Sequence, residues 1–186
     1  MLSPFLQRLL FVNQFTIADG KVELLGDRYI MLNASDLFKL QELDRTKMYS
    51  IMKSASLNNI KEIVEHAQVY KSMKDQSLRN IAELSKKIGK SDEGVIMTLQ
   101  SIFDIYGLGK LHILDLDNKK QCASLKIENS SIALEQVKMG KTKTPACTLT
   151  AGILAGMFTY IFNKRVDCVE KKCIGKGDQM CEFEIR

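Results

Sequence analysis

Cysteine is concentrated at the C-terminal end of this chain, where four of the five cysteines fall within the last 40 residues. Cys147 stands near the predicted start of a helix, where the helix dipole favours a thiolate. Glu170 and Cys173 follow in an E-x-x-C pattern, and Cys181 lies beyond a short glycine-containing turn. Thiolates favour zinc over magnesium or calcium, and three thiolates with one carboxylate complete a tetrahedral shell. The spacing therefore suggests a structural zinc site formed by Cys147, Glu170, Cys173 and Cys181.

The strand pattern leaves the fourth ligand of this site open. On a regular strand Glu170 and Cys173 would face opposite sides, so the strand must bend or bulge near Lys171, or the longer Glu170 side chain must reach around. Cys168 has the same parity as Glu170 and is an alternative fourth ligand. Cysteine is also a small buried hydrophobe, an interpretation that suits Cys122 and Cys168 best.

An apolar stripe continues from Cys147 along the predicted central helix. Ala151, Leu154 and Phe158 follow it at spacings of four, three and four residues, which places all four positions on one helical face. With Cys168 on the neighbouring strand, these side chains could line a cavity for an aromatic or aliphatic ligand. The alternative interpretation is that the stripe is ordinary core.

The elements that must position these residues are predicted from hydrophobic periodicity and turn residues. Helices are expected over residues 3–12, 35–54, 57–88, 91–106 and 146–163, and strands over 14–32, 111–116, 122–127, 166–172 and 181–185. Residues 128–143 show no clear pattern. The predicted class is α+β, with helices packed on an antiparallel sheet and a C-terminal hairpin in a single domain over residues 1–186.

Composition limits the class of protein. Hydrophobic residues make up 45% and charged residues 26% of the 186 residues, as in ordinary globular proteins. No apolar stretch approaches the ~20 residues of a membrane span, and residues 1–15 lack the features of a signal peptide. These observations predict a cytoplasmic protein with reduced cysteines and no membrane association. The net charge of +5 permits anionic partners without indicating one.

Catalysis and DNA binding are two alternatives that the residues do not favour. His66 and His112 lie outside the cysteine group, four protein ligands would close a zinc site to water, and no nucleotide-binding motif is present. Residues 78–106 could form a helix-turn-helix, but Asp92 and Glu93 would then stand where bases are contacted. The chain is therefore not expected to be an enzyme or to bind nucleic acid.

The C-terminal half resembles the 4-vinyl reductase domain family over about residues 95–186, most specifically in the last 40 residues. The matching segments are Gly107-Leu-Gly-Lys110, Asn129-Ser-Ser131, Cys147-Thr-Leu-Thr-Ala-Gly152-Ile-Leu-Ala-Gly156 and Glu170-x-x-Cys173-x-Gly175-x-Gly177-Asp178-x-x-Cys181-x-Phe183. Residues 1–90, the predicted N-terminal strands and helices, carry no motif of the family.

The resemblance implies a fold similar to Golgi-transport and haem-NO-binding domains, a homodimer, and binding of a small hydrophobic molecule such as a phenol or a hydrocarbon. In the aromatic sensors of the family three cysteines and a glutamate hold a structural zinc, and those positions fall on Cys147, Glu170, Cys173 and Cys181. The resemblance thus favours Glu170 over Cys168. The chain has no Trp, so specificity for phenol does not carry over. A protein-assembly adaptor of the same fold is the alternative function.

Overall fold

A computed structural model describes residues 15–24, 27–71, 100, 103–104 and 106–186. The helix expected over residues 3–12 lies outside the described residues, as does most of the region 72–106. Within the described part, four α-helices and two antiparallel sheets form an α+β fold, which confirms the predicted class.

The first sheet is a short meander of strands β1 (Phe15–Ala18), β2 (Lys21–Leu24) and β3 (Asp27–Tyr29). The pair Asp19-Gly20, whose residue types are typical of hairpin turns, joins β1 to β2, and both residues have positive φ, 52° and 72°. This is the backbone shape that tight hairpins require. The strands predicted within residues 14–32 are therefore confirmed.

The helix predicted from Ser35 to about Ser54 is instead two helices, α1 (Ala34–Leu43) and α2 (Arg45–Lys71). The chain is extended at Asp44, whose carboxylate accepts the backbone N–H of Lys47 at 2.9 Å and so caps α2. The helix then continues without a break through residue 57, where the sequence pattern had placed a new start. The local side-chain cap at Asp44 overrides the apolar periodicity.

The buried face of α1 also differs from the prediction. The spacing of Leu37, Leu40 and Leu43 in the sequence predicts that these three residues face the core. In the structure Leu40 and Leu43 are 46% and 82% exposed, whereas Phe38 and Gln41 are buried. A rotation of about one residue around the helix separates the two faces. As a result, α1 presents a buried amide to the rest of the protein.

The second sheet has the strand order β4-β5-β7-β6 and carries the C-terminal hairpin. Its strands are β4 (Lys110–Asp117), β5 (Cys122–Glu128), β6 (Cys168–Lys172) and β7 (Cys181–Ile185). The predicted C-terminal hairpin is confirmed, because β6 pairs antiparallel with β7. The predicted strands β4 and β5 also pair antiparallel with each other. A 3-10 turn, Ile174–Lys176, lies in the connection between β6 and β7.

Two helices connect β5 to β6. Helix α3 (Ser131–Met139) occupies the region where no pattern was recognised, and the Ser130 hydroxyl caps it by accepting the N–H of Ala133. Helix α4 (Thr148–Ile161) begins later than predicted, with Cys147 as its N-cap residue. Cys147 therefore precedes the helix rather than lying in its first turn.

Helix α4 is the centre of the core. Its residues Leu149–Phe158 are all buried, and it packs against α2 on one side and against β6 and β7 on the other. Gly152 and Gly156 face α2, where a Cβ on Gly152 would lie 2.6 Å from the carbonyl oxygen of Tyr49. The two glycines thus allow the helix backbones to touch, as expected for such a pair in a globular protein.

Candidate functional site

The structure brings together the four residues that the sequence suggested as metal ligands. Cys147 precedes α4, Glu170 lies in β6, Cys173 follows β6, and Cys181 opens β7. Their sulfur atoms and one carboxylate oxygen all lie within 4.8 Å of one another, and all four residues are buried. The centre therefore joins the start of the central helix to both strands of the C-terminal hairpin.

A β-bulge at Lys171 resolves the parity conflict between Glu170 and Cys173. Glu170 pairs with Phe183 and Lys172 pairs with Glu182, so two steps along β6 match one step along β7. The extra residue turns the strand and brings Glu170 and Cys173 to the same side. The sequence left open whether the strand bends or bulges near Lys171 or the Glu170 side chain reaches around it. The structure has a bulge.

Each of the three sulfur atoms has a hydrogen-bonding neighbour outside the cluster. Ser130 Oγ lies 3.4 Å from Cys147 Sγ, and either the hydroxyl or the thiol can donate in this contact. Backbone N–H groups donate to the other two, Ala146 N to Cys173 Sγ at 3.4 Å and Ile174 N to Cys181 Sγ at 3.5 Å. Such donors stabilise thiolates.

Glu170 has one satisfied and one unsatisfied oxygen. Its Oε2 accepts the backbone N–H of Cys147 at 2.8 Å, whereas its Oε1 is buried and has no hydrogen-bond partner. Burial raises the pKa of this carboxyl group to about 8. A buried, unpartnered carboxylate oxygen is costly, and a cation bound beside the three sulfurs would remove that cost.

The thiols of the cluster shift one another's pKa in opposite directions. Hydrogen bonds from the Cys147 and Cys181 thiols hold the pKa of Cys173 far below its usual range. The thiol of Cys147 donates to Cys173, which raises the pKa of Cys147 well above its usual range. Cys147 Sγ and Cys181 Sγ are 3.7 Å apart. Three sulfur atoms this close together suit a soft cation.

The donor set fits a tetrahedral metal ion. Three sulfurs and one oxygen, closely spaced and buried, match the composition of closed structural zinc sites. Hard cations such as calcium prefer six to eight oxygen ligands, which this cluster does not provide. The residues present could therefore hold a thiophilic divalent ion.

Cys168 is not part of this cluster. It is 6% exposed, and burial raises the pKa of its thiol. Its backbone N–H donates to the Tyr49 hydroxyl at 2.9 Å, so it helps to fasten β6 to α2. Among the described residues, Glu170 rather than Cys168 lies close to the other three cysteines, so Glu170 is the candidate for a fourth ligand.

The residues predicted to line a ligand cavity all lie in the core. Ala151 is 5% exposed, and Leu154 and Phe158 are fully buried on α4. The Phe158 ring packs against the Phe162 ring with centroids 5.5 Å apart. Like Cys168, these residues belong to the buried apolar cluster of the protein, and their role in ligand binding stays a prediction.

Gln41 contributes to the site, although nothing in the local sequence marked it. It is fully buried, its Nε2 donates to the Ala146 carbonyl oxygen at 2.5 Å, and its Oε1 accepts the N–H of Leu149 at 3.0 Å. The one available signal was a polar residue three positions after Phe38, on what proved to be the buried face of α1.

The other polar candidates lie apart from the cysteine cluster or outside the described residues. His112 Nε2 lies 3.4 Å from Glu128 Oε2 on the second sheet. The His66 side chain and most of the region 78–106 are outside the described part, so the DNA-binding alternative stays a prediction. None of the helices in the described ranges combines the length and apolar character needed to span a bilayer.

The part of the chain that carries this site is similar to a known protein family. The family model of the 4-vinyl reductase domain matches residues 124–186, the segment that carries all four cluster residues. This match confirms the resemblance for that part of the chain. The uncharacterized protein MJ0150 of Methanocaldococcus jannaschii is 31% identical over 88 residues, 47% of this chain and 50% of that protein. The chain thus spans about half the length of that relative and less than half the length of two other curated relatives.

Two solved structures show the same fold. The phenol-responsive sensory domain of the transcription activator PoxR, determined with phenol, has a TM-score of 0.67 and 18% identity, and the match covers 100% of this chain and 90% of that chain. Subunit 3 of a trafficking protein particle complex from Naegleria fowleri, covalently bound to palmitic acid, has a TM-score of 0.53 and 13% identity. That match covers 82% of this chain and 89% of that chain.

Proposed function

Because residues 124–186 of this chain belong to the 4-vinyl reductase domain family, we propose that the protein binds a small hydrophobic molecule and that a structural zinc ion stabilises its C-terminal half. The observation that carries the proposal is the buried cluster of three cysteines and Glu170, with ligand atoms within 4.8 Å of one another. When bound, zinc would supply a cross-link between α4, β6 and β7, as structural zinc does in small domains.

The proposed role of the metal is structural rather than catalytic. A catalytic zinc keeps one position for water or substrate, whereas four protein donors fill the tetrahedron in this cluster. The backbone hydrogen bonds to the sulfur atoms of Cys173 and Cys181 also reduce the nucleophilicity of these two sulfurs. The proposed function therefore includes no reductase activity.

Elemental analysis of the purified protein tests the metal. We expect about one equivalent of zinc per chain, retained through gel filtration and removed by a strong chelator at low pH, because protons compete for the thiolates. Less than about half an equivalent, with no uptake of added zinc, would contradict the proposal.

The proposed ligand site lies along α4, where Ala151, Leu154 and Phe158 occupy the face opposite the two glycines that contact α2. Support comes from the wholly apolar chemistry of these buried side chains and from the phenol-binding domain of the same fold. The trafficking protein particle complex subunit of the same fold is bound to palmitic acid, so the proposed class of ligands also includes aliphatic chains. The ligand is thus proposed to be aromatic or aliphatic, without a named identity.

Thermal-shift assays with phenols and fatty acids test the ligand class. We expect a rise in the unfolding temperature that saturates with concentration. Ala151→Met should abolish the rise, because its longer side chain would occupy the face of the helix that is proposed to contact the ligand. Ile153→Met, on another part of the same helix, is the matched control. No shift with either class, together with no apolar molecule extracted from the purified protein, would overturn the proposal.

An assembly module is the second candidate, with a second copy of this chain as its partner. The contacting helices α1 and α3 carry exposed apolar side chains: Leu40, Leu43, Leu134, Val137 and Met139. Leu43 alone is 82% exposed, and such surfaces mark interfaces when they are contiguous. Light scattering of the native protein should then give the mass of a dimer. Leu43→Asp should halve that mass, whereas the control Leu114→Asp, on β4, should leave it unchanged. A monomer at all concentrations would exclude this candidate.

A further inference from the structure

We propose that Gln41 and Arg45, from the N-terminal helix pair, are positioning residues for the metal centre. The inference rests on the proposed zinc site, and it assigns a role in metal affinity to residues far outside the cysteine motif. Gln41 is 105 residues away from its partner Ala146, and Arg45 is 100 residues away from its partner Pro145.

Gln41 holds the peptide that joins Ala146 to Cys147. Its Nε2 donates to the carbonyl oxygen of that peptide at 2.5 Å. The N–H of the same peptide donates to Glu170 Oε2 at 2.8 Å. The other end of the Gln41 amide accepts the N–H of Leu149 at 3.0 Å, so the side chain binds the backbone on both sides of Cys147.

Arg45 holds the preceding peptide in the same way. Its Nη1 donates to the Pro145 carbonyl oxygen at 2.7 Å, and the N–H of that peptide, on Ala146, donates to Cys173 Sγ at 3.4 Å. Glu42 fixes the guanidinium in turn, with an oxygen 2.8 Å from Arg45 Nη2.

Two consecutive peptides thus share one pattern. Each is held at its carbonyl by a side chain from α1 or α2, and each donates its N–H to one residue of the cluster. A hydrogen bond at the carbonyl polarises the peptide and strengthens its N–H as a donor. The pair Gln41 and Arg45 therefore sets the orientation of Cys147 and of the donors that stabilise Glu170 and Cys173 as anions.

The experiment compares Gln41→Met with Gln121→Met. Both substitutions remove a side-chain amide that binds the backbone around α4, but the amide of Gln121 binds the carbonyl oxygen of Phe162 at the end of the helix remote from the cluster. Zinc release to a chromogenic chelator gives the affinity, and the cobalt-substituted protein gives a visible spectrum that reports ligand geometry. Thermal unfolding is measured with and without metal.

We expect Gln41→Met to weaken zinc binding about 10- to 100-fold, as outer-shell substitutions do, and to alter the cobalt spectrum. It should lower the unfolding temperature more in the loaded than in the stripped protein. Gln121→Met should leave affinity and spectrum unchanged. Gln41→Glu, which keeps the acceptor for Leu149 and loses the donor to Ala146, should retain part of the affinity.

An affinity within about twofold of the native protein, with equal destabilisation of loaded and stripped forms, would reduce Gln41 to a purely structural role and overturn the inference. If Gln41→Met does not fold, Arg45→Met at the less buried position decides: faster zinc release supports the inference, and unchanged release contradicts it. A native protein that takes up no zinc or cobalt would instead refute the proposed metal centre itself.

Discussion

Glu170 accepts the backbone N–H of Cys147 at 2.8 Å through one oxygen, while its other oxygen is buried without a hydrogen-bond partner. A carboxylate oxygen of Glu170 and the sulfur atoms of the three cysteines lie within 4.8 Å of one another. The carboxylate of Glu170 thus joins β6 to the start of α4 through Oε2, and its Oε1 accepts no hydrogen bond. Glu170 can therefore have two roles: one oxygen holds the backbone of Cys147, and the other is available as a ligand atom.

Replacing Glu170 by Gln keeps the shape of the side chain and removes its charge. We predict that Glu170→Gln weakens zinc binding by at least about tenfold, because an amide oxygen is a poorer partner for a thiolate-bound cation than a carboxylate. Competition with a chelator of known affinity measures the change. Glu182→Gln, on the exposed face of β7, is the control and should bind zinc as the native protein does.

Removing a thiolate should cost stability as well as metal. Cys173→Ser is predicted to lose zinc and to lower the unfolding temperature by about 10 °C or more, since structural zinc contributes several kcal/mol or more and each kcal/mol is worth about 2–4 °C at this size. Calorimetry and elemental analysis on the same sample check both effects. Cys122→Ser, outside the cluster, should show neither, and a normal zinc content in Cys173→Ser would count against the site.

The close approach of α4 to α2 gives a prediction independent of any metal. A methyl group on Gly152 would lie 2.6 Å from the Tyr49 carbonyl oxygen, and one on Gly156 would clash with the carbonyl of Lys53. Because backbone atoms cannot move aside cheaply, Gly152→Ala should destabilise the protein by about 1–3 kcal/mol.

Denaturant unfolding measures that loss. The matched substitution Ser54→Ala, at an exposed position of α2, should change the free energy of unfolding by less than about 0.5 kcal/mol. Equal stability of Gly152→Ala and the native protein would show that the two helices are not in backbone contact.

The ion pair between Lys53 and Asp167 predicts a pH dependence. Lys53 Nζ lies 2.6 Å from Asp167 Oδ1, and its hydrogen bond, with one from Tyr49, holds the pKa of Asp167 below its usual range. A lowered carboxyl pKa stabilises the fold above the pKa of the unfolded chain, and this stabilisation is lost as the pH falls through the lowered value.

Asp167→Asn should therefore destabilise the protein at pH 7, by less than about 1 kcal/mol because the carboxylate is largely exposed. The difference from the native protein should shrink as the pH falls below the pKa of Asp167 in the unfolded chain, and it should vanish only below the lowered pKa of the folded state, where Asp167 is protonated in both states. Unfolding curves at pH 7 and pH 3 check this, with Asp115→Asn as an exposed control. A difference that stays constant between the two pH values would contradict the assigned role of the ion pair.

Much of the fold follows from local sequence signals. The hairpin at Asp19-Gly20 and the pairings of β4 with β5 and of β6 with β7 depend on turn residues within a few positions. The helices were harder to delimit. The break at Asp44 was missed because the same acidic residue is compatible with a helix interior, and it becomes a cap only when the chain changes direction there.

For the site, the amino-acid sequence alone predicts the chemistry, because three cysteines and a glutamate within the last 40 residues are residue types that together favour a thiophilic cation. It also determined that Glu170 could join them only if the strand bent or bulged or its side chain reached around, because strand parity is a local rule. Which of these routes the chain takes was decided by the pairing of β6 with β7, a contact between separate strands.

The surroundings of those four residues depend on how distant helices and strands pack together. Gln41 and Arg45 reach Ala146 and Pro145 across 100 residues or more, and Ser130 reaches Cys147 from the start of another helix. No local pattern encodes such bonds, because a buried amide or guanidinium finds its partner only when helices pack. The physical reason is that ligand type is a property of single residues, whereas the orientation of peptides around a ligand is a property of the assembled fold.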